Sequence, residues 1–333
     1  MAVEPGSTPS APGWRHRHLL DVADLLPWEL EMVMATADEM ATILARPIPR
    51  VPTLRGVSVT VLFYEASTRT RVSFEVAAKN LSADVVNIAA ASSSVAKGES
   101  LIDTVRTVEA LGADVLVIRH ARSGAPYLAA SVFGGHVVNA GDGWHAHPTQ
   151  ALLDLYTLRQ RLPEGRLAGR KIVLLGDILH SRVARSNLWT LTAAGADLWL
   201  CGPATLLRGF EAVARALPAG RRLTVTADLD AALRDADAVM ALRIQQERMS
   251  GGLLPSLREY AARYQLTAAR LRDARPEALV LHPGPMNEGV EIAPDVAAGG
   301  RSVITEQVAN GVAVRMALLY LLTGGRPTLS ADA

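Results

Sequence analysis

Cysteine occurs once, at Cys201, which excludes an internal disulfide and any metal site built from several thiolates. Its setting, Leu198-Trp199-Leu200-Cys201-Gly202, predicts a buried thiol at a strand end rather than a nucleophile. Lysine is almost as scarce, present only at Lys79, Lys97 and Lys171, with arginine supplying the other basic residues. Lys97, in an otherwise small and polar loop, therefore carries more information than a lysine usually does. Neither sign of charge is in excess (net +1), so nothing global points to nucleic acid or to an anionic membrane. Apolar runs long enough to span a bilayer are missing, as is a secretory apolar core near the N-terminus. Residues 1–15, rich in Pro, Ser and Gly, read as a disordered lead-in, and a soluble cytoplasmic protein is expected.

What is present is enough chain, 333 residues, for two domains of about 150 each with sizeable cores. From 17 to 45 the apolar residues recur at helical spacing, with Asp24 or Pro27 near the helix start. Strands are predicted at 57–63, 83–88, 113–118 and 137–140, and helices over 101–108 and from Pro148 onward. Pro163-Glu164-Gly165-Arg166 breaks the pattern. A second β/α series follows, with strands at 171–175, 197–201, 223–226, 238–242 and 278–282. Helices intervene at 182–194 and 206–217, and a strongly apolar helix closes the chain over 303–323. The predicted architecture is α/β, two doubly wound parallel-sheet domains with a cleft between them. The glycine fingerprint G-x-G-x-x-G is absent after Leu175, which argues against a nicotinamide-dependent dehydrogenase of similar size.

The most informative stretch is Phe63-Tyr64-Glu65-Ala66-Ser67-Thr68-Arg69-Thr70-Arg71-Val72-Ser73-Phe74-Glu75. A continuous apolar, β-branched strand precedes it and a helix follows, so Ser67-Thr68-Arg69-Thr70 sits at a strand-to-helix turn. Unpaired N–H groups and the positive end of the helix dipole favour an anion there. Three hydroxyls and a guanidinium complete a phosphate cradle. A lone S-T-x-T would be read as an ordinary helix cap; the flanking residues overturn that default.

The whole stretch resembles the carbamoyl-phosphate-binding motif of the aspartate and ornithine carbamoyltransferase family, and the resemblance continues from about Arg17 to the last helix. It implies that Ser67, Thr68, Arg69 and Thr70 grip the phosphate of carbamoyl phosphate. Ser93-Ser94-Val95-Ala96-Lys97-Gly98-Glu99 is similar to the loop that reaches into a neighbouring subunit's site, where Ser93 would touch phosphate and Lys97 both substrates. The implied assembly is a homotrimer with shared active sites. Arg119 and His147 resemble the residues that, with Thr70, contact the carbamoyl oxygen, and Gln150 the acceptor for the carbamoyl NH₂. In the H-P-x-P pattern His282-Pro283-Gly284-Pro285, the carbonyls of Pro283 and Gly284 would hold that NH₂ and the substrate amine. Gly284 stands where some members have Leu, which matters little if the contact is main-chain.

Arg182 resembles the ligand of the α-carboxylate of aspartate, and Arg243 and Gln245, in an R-x-Q-x-E-R loop, the ligands of its side-chain carboxylate. Ornithine enzymes carry an S-M-G-type loop and H-C-L-P, and neither occurs. Glu65 would pair with Arg182 and Arg248 to tie the domains together. The last helix, 304–324, is expected on the carbamoyl-phosphate-binding domain (16–160), beside an aspartate-binding domain at 161–303. The implied reaction gives N-carbamoyl-L-aspartate and phosphate, an early step of de novo pyrimidine biosynthesis, with no cofactor and no metal. His145 and His147 form an H-x-H pair without a third zinc ligand nearby, and His145 receives no role. No general base aligns for the amine proton, and the leaving phosphate is the candidate acceptor. A regulatory chain or dihydroorotase is a candidate partner. The competing readings are a carbamoyltransferase for another amino acid, such as ornithine, and a noncatalytic scaffold.

Overall fold

A computed structural model describes residues 13–89, 98–249 and 251–324. Residues 1–12 of the expected lead-in and residues 91–97 of the polar loop, with Ser93 and Lys97, lie outside them. Trp14 already packs against the core.

The first half builds α1 (Pro27–Leu44), β1 (Ser58–Phe63), α2 (Thr68–Asn80), β2 (Asp84–Ala89), α3 (Leu101–Ala110), β3 (Val115–His120), α4 (Ala125–Ala130), β4 (His136–Asp142) and α5 (Pro148–Arg161). Its four strands are parallel in the order β2-β1-β3-β4. The second half adds β5 (Lys171–Gly176), α6 (Arg182–Ala193), β6 (Asp197–Cys201), α7 (Phe210–Ala216), β7 (Arg222–Thr226), α8 (Leu229–Leu233), β8 (Ala238–Leu242), α9 (Leu257–Tyr264), β9 (Leu279–Leu281), α10 (Pro294–Ala297) and α11 (Ile304–Thr323). Its five strands, also parallel, run β7-β6-β5-β8-β9. Strands covered on both faces have no polar side to present, which is why Val59, Val61 and Leu62, like Ile172 to Leu175, are apolar and fully buried. Each such side chain contributes about 1.5–3 kcal/mol on burial. α11 packs on α1, α2 and α5, so the chain's last helix returns to the first sheet.

The helix expected from 17 to 45 begins later. Leu19 instead pairs with β4, exchanging hydrogen bonds with Val137 and Asn139, and Pro27 occupies the first turn of α1. Two backbone bonds to a sheet edge outweigh the helical period there, and proline suits a helix start. The predicted helix at 206–217 is broken, because Gly209 turns left-handed (φ 85°) before α7. Cys201 closes β6 and is fully buried, and burial pushes its thiol up to about 12. Among the described residues no helix is long and apolar enough to cross a membrane.

Candidate active site

In each parallel sheet the strand order reverses once, between β1 and β3 and between β5 and β8, and ligands bind beyond the carboxyl ends at such switch points. The two reversals face a common cavity of about 940 Å³. Lining it are Glu65 and the 67–70 turn after β1, Arg119 at the end of β3, Arg182 after β5, Arg243 and Gln245 after β8, and the Pro283-Gly284-Pro285 turn after β9.

Ser67 is the N-cap residue of α2, yet its side chain makes no capping bond. Elsewhere the capping side chains are engaged: Ser100, Asp228 and Ser256 each accept from a backbone N–H three residues on. Ser67 lines the cavity with its hydroxyl free of the cap, together with Thr68, Arg69 and Thr70 at the start of α2. That is an anion site by construction.

Glu65 gathers three guanidinium groups. Its carboxylate accepts from Arg119 Nη2 and from both terminal nitrogens of Arg182, at 2.6 and 3.2 Å, and Arg248 Nη2 lies 3.5 Å away. The Arg182 and Arg248 partners match the sequence reading; Arg119 is an addition to it. Burial alone would raise the Glu65 carboxyl, but the Arg182 hydrogen bond and the three positive charges leave it lowered. Burial and the neighbouring Arg182 bring Arg119 down to about 10, so it stays charged at neutral pH. Gly141 makes this crowding possible: a Cβ there would meet the Arg182 guanidinium at 3.0 Å and Arg119 at 3.3 Å.

His147 precedes α5 and is held by its backbone N–H, which donates to Ser186 Oγ of α6 at 2.9 Å. Burial first, and then Arg119, Arg182 and Arg315, hold its imidazole well below the usual range. It therefore offers a neutral N–H, a donor without charge. One turn on, Gln150 gives its Nε2 to Asp154 Oδ1 at 2.8 Å, which leaves its amide oxygen for the cavity. His282, buried, accepts the Gly284 N–H at Nδ1 (2.8 Å) and meets Glu291 through Nε2 (3.1 Å), which fixes the turn carrying Pro283 and Gly284.

Arg243 lines the opposite wall and forms a two-pronged pair with Glu247, at 2.9 and 3.0 Å. Gln245 lies beside it, its N–H bound to Asp177 Oδ2. All the sequence-predicted site residues inside the described chain line this single cavity. His145, which received no role, turns instead to Asp142 and Asp21. Sequence reasoning missed Asp154, Asn187, Gln307, Arg315, Ser186 and Glu247. Only the four-residue spacing of Gln150 with Asp154, neighbours on a helical turn, could have signalled any of them.

Two family models match, described as the aspartate/ornithine carbamoyltransferase carbamoyl-P binding domain (residues 17–160) and the Asp/Orn binding domain (residues 168–322). An aspartate carbamoyltransferase catalytic subunit of Roseiflexus sp. (strain RS-1) is 61% identical over 93% of this chain and 96% of its own length. Among solved structures, aspartate transcarbamoylase from Trypanosoma cruzi in complex with carbamoyl aspartate and phosphate superposes with TM-score 0.81 at 30% identity, covering 94% of this chain and 99% of that one. Ornithine carbamoyltransferase from Pyrococcus furiosus superposes with TM-score 0.85 at 26% identity, over 95% and 100%.

Proposed function

The chain belongs to the aspartate/ornithine carbamoyltransferase family, and from that premise we propose that it transfers the carbamoyl group of carbamoyl phosphate to the amine of L-aspartate. The products are N-carbamoyl-L-aspartate and phosphate, an early step of pyrimidine biosynthesis in the cytoplasm. The observation that carries this reading is the pairing, in one cavity, of a helix-start anion cradle on the first sheet with Arg182 and Arg243 on the second. The overall fold is blind to the amine, since the ornithine enzyme superposes as well as the aspartate one. The charge of the wall discriminates: two guanidinium groups suit two carboxylates and repel a cationic side chain.

In the reaction Ser67, Thr68, Arg69 and Thr70 take the phosphate. The amine lone pair forms a bond to the carbamoyl carbon, negative charge grows on its oxygen, and the bond to phosphate breaks, the departing phosphate taking the proton that the amine gives up. Thr70, Arg119 and neutral His147 stabilise that oxygen; losing one such donor costs on the order of a hundredfold in rate. Gln150 Oε1 and the carbonyls of Pro283 and Gly284 accept from the NH₂. Arg182 takes the α-carboxylate, Arg243 and Gln245 the other, and Glu65 with Arg182 and Arg248 closes the cleft. Proximity supplies up to about 7–11 kcal/mol of the barrier reduction. Ser93 and Lys97 come from a neighbouring copy in a homotrimer. Exposed Val86 on β2, the strand that leads into that loop, and exposed Val72 and Val76 on α2 support such a contact. The carbamoyl-phosphate-binding domain comprises 16–160 and α11, and the aspartate-binding domain 161–303.

The test is a product assay with carbamoyl phosphate and either L-aspartate or L-ornithine. N-carbamoyl-L-aspartate is expected, and Arg243→Ala should raise the KM for aspartate about a hundredfold or more while carbamoyl phosphate affinity is kept. Formation of carbamoyl-ornithine instead would overturn the assignment.

A further inference from the structure

We propose that Asp154 is a positioning residue for carbamoyl recognition: its buried carboxylate turns the Gln150 amide so that oxygen, not nitrogen, faces the carbamoyl NH₂. This rests on the carbamoyl phosphate reading above. Asp154 is fully buried on α5, one turn after Gln150. Every group bonded to it is an amide nitrogen: Gln150 Nε2 and Gln307 Nε2 reach Oδ1, and Asn187 Nδ2 reaches Oδ2, each at 2.8 Å. An ionised carboxylate only accepts, so a flipped Gln150 would set two acceptors against each other. Gln307 extends the same logic to the other acceptor. With its nitrogen on Asp154, its oxygen receives the His282 N–H at 2.9 Å, at the root of the Pro283-Gly284 turn. A planar NH₂ has two hydrogens, and the two acceptors offered to it, the Gln150 oxygen and that turn, are aligned by one carboxylate.

An asparagine at this position would bring a donor of its own into a ring of donors, and turning Gln150 is the relief. The groups facing Asp154 are the neutral amides of Gln150, Gln307 and Asn187 and, within electrostatic reach, the guanidinium of Arg315. His147 at the head of the same helix is kept uncharged by burial. Burial pushes Asp154 up to about 6 against the pull of its three amides and Arg315. Above that pH it is the acceptor described; below it, it acquires an O–H and the constraint on Gln150 lapses.

The experiment compares, by calorimetry, the affinities for carbamoyl phosphate and acetyl phosphate, in which a methyl replaces the NH₂. Asp154→Asn should lower the preference for carbamoyl phosphate at least about tenfold, with acetyl phosphate binding nearly unchanged. General damage would weaken both equally. Preference kept in Asp154→Asn but lost in Gln150→Ala overturns the positioning role and leaves the Gln150 contact standing. Preference kept in both overturns the role because Gln150 does not read the NH₂, and the product assay judges the reaction separately. Should Asp154→Asn fail to fold, the wild type serves: both ligands carry a titrating phosphate, so its ionisation largely cancels in the ratio. The ratio should fall as pH drops through about 6; a flat ratio overturns the proposal.

Discussion

Gly284 holds φ at +65°, and a Cβ on it would lie 2.8–3.0 Å from the Arg69 guanidinium. The sequence reading treated this glycine as a neutral replacement for leucine because only its carbonyl mattered. The structure gives it a second duty, leaving room for the Arg69 guanidinium, the proposed phosphate contact. Gly284→Leu should raise the Kd for carbamoyl phosphate about tenfold, the worth of one charge-assisted bond, measured by calorimetry with folding checked by circular dichroism. An unchanged Kd would show that Arg69 finds an equivalent seat. The gathering of residues 67–70, Arg182 and Arg243 in one cavity was legible because they sit in contiguous motifs whose chemistry is local. Asp154 was not, since its meaning comes from Gln307, 153 residues away, and from Asn187 on another helix. Glu65 was half legible: two of its three arginines were foreseen, and Arg119 was assigned only to substrate.

The start of α2 shows how an element can be built around a ligand. Its N-cap hydroxyl, Ser67, makes no capping bond, whereas Ser256 caps α9 by accepting from Glu259 N–H at 3.0 Å. The two serines should therefore separate stability from binding. Ser256→Ala is expected to cost about 1 kcal/mol in urea unfolding with carbamoyl phosphate affinity intact. Ser67→Ala should leave stability within about 0.5 kcal/mol and weaken that affinity. Equal loss of stability in both would mean that Ser67 caps after all. All nine predicted strands formed, because continuous apolar runs leave little choice. Their ends were less legible: β3 continues two residues beyond the expected 118, through Arg119 and His120. Arg119 there faces the cavity and His120 packs on Tyr64, and hydropathy cannot tell such cases from solvent exposure. At 17–20 the reverse happened, with a helical period overridden by backbone pairing to β4.

For the whole molecule the proposed trimer makes each site a joint product of two chains. Lys97→Ala and Arg69→Ala proteins should each be nearly inactive, yet reassembled mixtures should recover part of the turnover, since some sites then combine intact halves. No recovery in verified hybrid trimers would count against shared sites. The two-sheet layout was legible from the order of strands and helices, with Pro163-Glu164-Gly165 marking the passage between them.

The return of α11 to α1, α2 and α5 has a consequence for how the chain comes into being. A ribosome releases the half with the first sheet early, but the helix that seals its apolar flank emerges only after the entire second sheet. Until then the nascent protein carries an uncovered greasy groove, the condition in which chaperones are most needed. The first sheet is therefore covered only once the second has been made.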